Sequence, residues 1–442
     1  MNSKQQLLNI VTDIPKFGSG ICLHRVSLAM VQLIPADYLE QTPKIVVTGT
    51  DGKGSTSMLI NGILMASRVE TGMFTSPHFL EFNERFQLGM SKVDYDELLP
   101  TIQKVLKTTS AIERQLDEIF GVFEILFLLA LAIFQQNKAQ VLIFEAGIGG
   151  RYDPVRLLKS KLTALTSIAL EHTALLGDST ELIAYDKLDA CYPGGQTVVG
   201  YVEPALMAKI SAYAELKGTE IVCAAKVKLQ LKKNRLMLTV PGFKALEINS
   251  LCEGPGMVFN MQTAVQVCQT YFDTNFPTDM PRDFANACKN GLEATRIPGR
   301  FDKIGWSPEL YVDCAHTPNA YKLLFETIEK EFDYTPVVFV VGTSQGRDTE
   351  HLIEGILRLG SGIVVTQASF KGADSETLFG LINKKRPNKP MYWQADLKQA
   401  LKQAKSMAQS MNGLVFVVGG LFLAGEAAAI EQDLDTNSLY LY

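Results

Sequence analysis

The chain has 442 residues, with 42 Lys and Arg against 47 Asp and Glu, for a formal net charge of -5. This length allows two domains, or three, each burying its own core, and the slight acidic balance argues against a broad nucleic-acid footprint while leaving room for a local basic patch. The seven cysteines (Cys22, Cys191, Cys223, Cys252, Cys268, Cys288 and Cys314) are scattered, odd in number and lack a C-x-x-C pair, which is cytoplasmic usage and not a disulfide framework.

At the N-terminus Lys4, Asp13 and Lys16 interrupt the opening residues before an apolar core of useful length develops, so no export signal is expected. A strand is predicted at Lys44–Thr48. It runs into the most informative stretch of the chain, Val46-Val47-Thr48-Gly49-Thr50-Asp51-Gly52-Lys53-Gly54-Ser55-Thr56, and then into a helix predicted over Thr56–Ser67. Such a strand–loop–helix turn aims backbone N–H groups, a helix N-terminus and an ammonium at one place, as a triphosphate requires. Gly49 and Gly52 permit positive φ, Lys53 supplies a mobile charge, and Ser55 or Thr56 offers a hydroxyl to a metal. A strict G-x-x-x-x-G-K motif followed by Ser or Thr would need glycine at Val47 and a hydroxyl at Gly54, so an ordinary glycine-containing turn is the alternative.

Further on, a helix is predicted at Gly121–Gln135, strands at Gln140–Glu145 and Leu162–Leu170, a helix at Ser179–Cys191 and a strand at Thr197–Tyr201. The longest apolar run, Val122 to Phe134, contains Glu124 and falls short of the roughly 20 residues a membrane span needs, so it predicts a buried helix. Strands apolar throughout, such as Val141-Leu142-Ile143-Phe144, suit a parallel sheet covered on both faces. Between Lys226 and Ile248 alternation predicts an antiparallel hairpin, followed by a helix at Asn260–Tyr271. The Pro298-Gly299 step breaks the pattern, and a second βα series follows. Its strands are predicted at Leu310–Asp313, Val337–Gly342, Gly362–Gln367 and Leu414–Val418, with helices at Asn319–Lys330 and Leu397–Ser410. That spacing predicts a smaller doubly wound sheet. The boundary is placed between 296 and 297.

The order of motifs resembles the folylpolyglutamate synthase and dihydrofolate synthase branch of the Mur-ligase superfamily over nearly the whole chain. The residues that carry the resemblance are Phe17-Gly18 with Leu23 and Arg25, Gly49 to Ser55, Thr75-Ser76-Pro77-His78-Phe79, and Phe82-Asn83-Glu84-Arg85. They continue with Phe123-Glu124, Glu145 to Asp153, Thr166-Ser167-Ile168, His172-Thr173 and Leu176-Gly177-Asp178. Pro298-Gly299-Arg300-Phe301, Asp313-Cys314-Ala315-His316 and Gly420 to Glu426 complete the set. The resemblance implies an α/β, Mur-ligase-like architecture: a three-layer αβα P-loop ATPase domain (1–296) and a smaller doubly wound C-terminal α/β domain (297–442). It also implies an ATP-dependent amide ligase that activates a carboxylate as an acyl phosphate and joins it to an amino acid, glutamate onto a folate or pteroate.

By resemblance, Gly49, Thr50, Asp51, Gly52, Lys53, Gly54, Ser55 and Thr56 wrap the ATP phosphates, with Lys53 on the β and γ groups. Ser55 and Glu145 serve the nucleotide-bound Mg²⁺, and Ser76 and His172 serve a second Mg²⁺. Without the resemblance, His172 reads as a capping or buried histidine. Lys187 falls where the family often has a lysine that becomes a carbamate, which requires a neutral amine and hence a lowered pKa. The alternative is a surface lysine beside Asp186 and Asp189. Arg300 would reach the phosphates from the second domain, and Asp313 and His316 would hold the ribose or phosphate side, although a strand-end Asp can also be only a helix N-cap. Arg347 and Asp348 fit a charged loop of the family or a solvated turn.

Several positions depart from the family pattern. Asp51 replaces a usual asparagine and adds negative charge beside phosphates. Tyr152-Asp153-Pro154-Val155 replaces Leu-Asp-Ala-Thr-Asn, Thr317 removes an amide, and Leu188-Asp189-Ala190 follows Lys187. These departures leave three readings. One is glutamate ligation to a folate-type acceptor, another is ligation to a specialised non-folate carboxylate, and the third is a silent ATP-binding sensor or scaffold. Partners are then a small-molecule carboxylate and an amino acid, with no nucleic acid and no membrane, for a cytoplasmic monomer.

Overall fold

The structure is a computed structural model, and it describes all residues except 22, 233–234, 250–254, 277–280, 282, 348, 386–387, 437–438 and 440–442. Its described residues form three sheets. In the first, the strands are β1 (Lys44–Thr48), β2 (Thr71–Phe74), β3 (Phe86–Leu88), β4 (Ser91–Lys92), β5 (Val141–Glu145), β6 (Leu162–Ser167), β7 (Gln196–Tyr201) and β8 (Glu220–Cys223), in the order β4-β3-β2-β5-β1-β6-β7-β8. The strands from β2 to β8 in that order pair in parallel, and β3 and β4 continue the edge antiparallel.

Strand alternation explains the layering. Val46, Phe74, Leu142 and Phe144 face one side and meet the helix Val122–Gln136, whereas Ile45, Val47, Met73 and Ile143 face the other and meet the helices Lys53–Ala66, Pro255–Asn275 and Phe284–Ala294. A sheet buried on both faces needs apolar residues at successive positions, and β5 supplies them. The run beginning at Val122 is therefore core, and among the described residues no helix is long and apolar enough to cross a membrane.

The alternating segment before residue 249 forms a three-stranded antiparallel sheet, β9 (Lys228–Lys232), β10 (Arg235–Thr239) and β11 (Leu246–Ile248), where a two-stranded hairpin was predicted. The third sheet holds β12 (Asp302–Trp306), β13 (Glu309–Val312), β14 (Val337–Val341), β15 (Gly360–Val365), β16 (Met391–Trp393) and β17 (Leu414–Val418), ordered β12-β13-β17-β14-β15-β16. It is parallel except for the antiparallel edge strand β12. Helices cover both of its faces: Leu397–Ser410 and Leu421–Glu431 on one, Pro318–Glu331, Glu350–Leu359 and Ser375–Lys384 on the other.

Two predicted boundaries shift for local reasons. The helix after the glycine loop starts at Lys53, with Gly52 as its left-handed N-cap, so Lys53 lies in the first turn. Strand β6 stops at Ser167 because the backbone and side-chain groups of Ser167 and Ala169 are taken by the loop of Thr50 and Asp51.

Candidate active site

The glycine loop is held by the end of β6. Thr50 N–H donates to the Ser167 carbonyl at 2.9 Å, Asp51 N–H to Ser167 Oγ at 3.0 Å, and Thr166 Oγ1 to the Asp51 carbonyl at 2.6 Å. This packing leaves no room for side chains at two points. A Cβ at Gly49 (φ +145°) would stand 1.9 Å from Thr166 Oγ1, and one at Gly52 (φ +83°) would stand 2.3 Å from Asn260 Oδ1. The loop ends at the N-terminus of Lys53–Ala66, whose first N–H groups lack an intrahelical acceptor.

Lysines from two elements converge on one carbonyl of that loop. Lys53 Nζ donates to the carbonyls of Gly49 and Thr50, both at 3.0 Å, and Lys187 Nζ donates to Gly49 at 2.7 Å. Lys187 is buried, and burial, reinforced by the Lys53 charge, pulls its pKa down to about 7. The surface-lysine reading of this position is therefore corrected: the side chain points inward from the helix Thr180–Leu188.

Glu145 closes β5 as a buried carboxylate. Its Oε2 accepts the Ser76 N–H at 2.9 Å, and burial raises its pKa to about 7, against the lowering effect of Lys53, Arg300 and Arg85. A methyl group at Gly54 would lie 3.5 Å from that oxygen, so the carboxylate sits over the first turn that carries Ser55. A buried carboxylate next to hydroxyls and a helix N-terminus fits a hard divalent cation, whose charge would favour the ionised form that burial disfavours, with phosphate oxygens and water to fill its other positions. Among the described residues no group of three or more His, Cys, Asp or Glu is placed to hold a metal by itself.

His172 adopts a left-handed conformation (φ +50°) before the short helix Thr173–Leu176 and is half-exposed. Its pKa is lowered by partial burial and then by Lys53, Lys187 and Arg347, with Glu171 opposing. The same charges that surround the loop therefore surround His172. Arg347 is exposed and faces His172 and His316 electrostatically, whereas Asp348 lies outside the described residues.

The second domain faces the loop across a cleft of about 140 Å³ lined by Asp51, Gly52, Ser55, Asn260, Arg300, Asp313 and His316. Arg300 keeps its side chain open to solvent at this cleft. The protein crowded around it works against its charge, but Cys314, Asp313, Asp51 and Glu145 outweigh that and raise its pKa. Asp313 accepts Phe301 N–H at 2.8 Å and Ala315 N–H at 2.7 Å, one on each oxygen. It does not cap the following helix, because Thr317 Oγ1 does so by accepting Ala320 N–H at 3.2 Å. His316 Nδ1 lies 2.9 Å from the Cys314 carbonyl, which fixes its proton on Nδ1, and burial lowers its pKa.

The sequence reading missed Asn260, which reaches the loop from inside the helix Pro255–Asn275 and accepts from Thr56 Oγ1 at 3.4 Å. Its only signal was a polar residue on a core-facing helix. It also missed Asp186, whose Oδ1 accepts Gly150 N–H at 2.9 Å and so fixes the turn after Glu145.

Residues 303–430 match the family of the dihydrofolate synthetase C-terminal domain. The chain is 28% identical over 333 residues to a folylpolyglutamate synthase of Lacticaseibacillus casei, covering 74% of this chain and 76% of that one. The folylpolyglutamate synthase of Mycobacterium tuberculosis complexed with ADP and AMPPCP has TM-score 0.85 at 22% identity, covering 97% of this chain and 98% of that one. A bifunctional folylpolyglutamate synthase/dihydrofolate synthase of Yersinia pestis complexed with AMPPNP and a Mn ion has TM-score 0.81 at 24% identity, covering 98% of each chain. The fold is thus the Mur-ligase-like one that the motif order implied. The glycine loop, Glu145 and the Arg300 cleft thus lie in one place, in a chain similar along both halves to folylpolyglutamate synthases and dihydrofolate synthases.

Proposed function

We propose that this protein is an ATP-dependent ligase that activates a folate or pteroate carboxylate as an acyl phosphate and couples it to glutamate. The observation that carries the reading is the single cleft between Ser55 on one domain and Arg300, Asp313 and His316 on the other. In the reaction a carboxylate oxygen attacks the γ-phosphorus and ADP leaves. The amine then attacks the acyl carbon, phosphate leaves, and the amine gives up a proton. The chain's task is to position the groups, neutralise charge and exclude water.

Lys53, now folded onto the Gly49 and Thr50 carbonyls, swings to the β and γ phosphates. Arg300 meets the same phosphates from the far wall. Ser55 and Glu145 would hold one Mg²⁺, and Ser76 and His172 a second, where Mg²⁺ supplies charge neutralisation. Lys187 in its neutral form would take up CO₂ as a carbamate. Asp313 and His316 would orient the ribose side. We place the domain boundary at 296/297 and take the protein as a cytoplasmic monomer.

The folylpolyglutamate synthase names of the relatives support the folate reading. A specialised non-folate acceptor is the second reading, favoured by the turn after Gly150. Asp153 there spends its carboxylate on the N–H groups of Gly147, Ile148 and Val155, at 2.9, 3.1 and 3.0 Å. Purified protein should release phosphate only when a carboxylate acceptor and an amino acid are both supplied. Phosphate release indifferent to both would overturn the ligase reading, and ATP binding without any product across the acceptor series would favour a silent sensor. Mass spectrometry across folate-type and other carboxylates separates the two acceptor classes.

A further inference from the structure

The segment between β2 and the 3-10 turn Phe82–Arg85 belongs to the first domain by sequence, yet it enters the second. It leaves β2, passes Ser76, whose N–H donates to Glu145, and three residues later buries Phe79 in the core cluster of Leu310, Val312 and Val417 of the C-terminal sheet and Cys314 just after it. Phe79 is only 6% exposed. A slot is kept for it: a Cβ at Gly299, where φ is +68°, would stand 2.6 Å from Phe79 Cε2. The backbone of the same segment is pinned from the first domain, because Phe79 N–H donates to Glu84 Oε2 at 2.7 Å and Leu80 N–H to Glu84 Oε1 at 3.2 Å.

A second connection runs beside the first. His78 Nε2 lies 2.7 Å from the carbonyl of Leu439, a buried residue beyond the helix Leu421–Glu431, and therefore carries the proton. His78 Nδ1 accepts the Arg85 Nε–H at 2.9 Å, and the Arg85 guanidinium in turn faces Glu145 and Glu84. Two routes from the C-terminal domain, one apolar and one hydrogen-bonded, thus end on the pair Ser76 and Glu145.

We propose that Phe79 and His78 are positioning residues that make the placement of Ser76 and Glu145 depend on the seating of the C-terminal domain. One ligand of each proposed Mg²⁺ site is then in place only when the two domains are docked. This would keep ATP from being spent while the cleft is open, and it rests on the ligase reading above.

Three variants test this: Phe79→Ala, Phe79→Leu and His78→Gln. Each is followed by Mn²⁺ titration with spin-resonance detection in the presence of a non-hydrolysable ATP analogue, by analogue binding without metal, by amide formation and by thermal unfolding. Phe79→Ala should weaken Mn²⁺ binding roughly tenfold or more, the range typical of residues that orient metal ligands, and leave metal-free analogue binding within about twofold. Phe79→Leu, which refills most of the slot, should recover most of the loss. His78→Gln keeps a donor for Leu439 at the place of Nε2 but has no acceptor atom at the place of Nδ1, so it should lose the Arg85 Nε–H bond and weaken Mn²⁺ in the same direction. A Phe79→Ala protein that melts earlier yet holds Mn²⁺ like the wild type would reduce the contact to packing and overturn the proposal. If that variant fails to fold, wild-type Mn²⁺ affinity in both Phe79→Leu and His78→Gln overturns it equally. A wild type that makes amide beside unaffected variants sinks only this inference, whereas a wild type that makes none sinks the ligase reading.

Discussion

At the scale of single residues, two ammonium groups share the Gly49 carbonyl, and they differ in what surrounds them. Lys53 is partly exposed, and among the described residues its ammonium donates to the loop carbonyls of Gly49 and Thr50, which it can leave for a phosphate. Lys53→Ala should therefore cut phosphate transfer about 10²–10³-fold, the usual cost of removing one preorganised charge-stabilising group, with an unchanged thermal midpoint. Wild-type turnover by this variant would remove Lys53 from the mechanism. Lys187 is buried and titrates near pH 7. Because burial lowers its pKa, the neutral amine grows as pH rises through about 7, and only that form reacts with CO₂. Activity measured with added bicarbonate should rise over that window. In Lys187→Ala the rise should vanish, and a short exogenous carboxylate should restore turnover. An unaffected Lys187→Ala enzyme would argue that the amine serves only to hold the Gly49 carbonyl.

At the scale of elements, the entry to the helix Val122–Gln136 depends on a buried arginine. Arg25, 1% exposed, reaches Glu124 at 2.8 and 3.2 Å and Glu118 at 3.2 Å, and it also donates to the carbonyls of Ser19 and Gly20. Removing one member of such a cluster strands the others, so Arg25→Ala should cost about 3–5 kcal/mol in urea unfolding. It should also release the turn of residues 17–21, seen as faster amide exchange there. A loss below about 1 kcal/mol would place the pair among weakly contributing surface ion pairs. Legibility followed unbroken apolar pattern and not length alone, since the 22-residue helix Tyr95–Leu116, with Pro100 inside it, was not predicted. The apolar strands β1, β5 and β17 and the helix beginning at Val122 were readable because each spans enough residues for its periodicity to show. The short strands β3, β4 and β16 carry two or three residues and no period, so the antiparallel edge of the first sheet went unseen. The glycine loop was legible because Gly49 and Gly52 answer to backbone geometry. Asn260 and Phe79 were not, since each acts through a partner more than 200 residues away and nothing local marks that partner.

At the scale of the whole molecule, two departures from the family pattern meet across the cleft. Thr317 Oγ1 lies 3.4 and 3.5 Å from the carboxylate oxygens of Asp51, long distances for a hydrogen bond, while its own capping bond to Ala320 is shorter at 3.2 Å. Asp51 also faces Arg300, whose charge it helps to hold. Unliganded, Asp51 thus gives Arg300 a carboxylate in the place where a triphosphate will compete for it. Entry of the nucleotide sets one more anion against Asp51, and the Coulomb cost near a protein surface reaches a few kcal/mol at contact distances. Asp51→Asn keeps the shape, relieves that repulsion and frees Arg300. It should bind a metal-free ATP analogue about tenfold more tightly by calorimetry, a gain of about 1.4 kcal/mol that shrinks as salt rises. Arg300→Ala should weaken binding on its own and remove most of the Asp51→Asn gain in the double variant, because the two residues share one ligand. If Asp51→Asn instead binds more weakly and Thr317→Val weakens binding to match, the contact across the cleft holds the domains closed, and its attraction outweighs the repulsion of the phosphates.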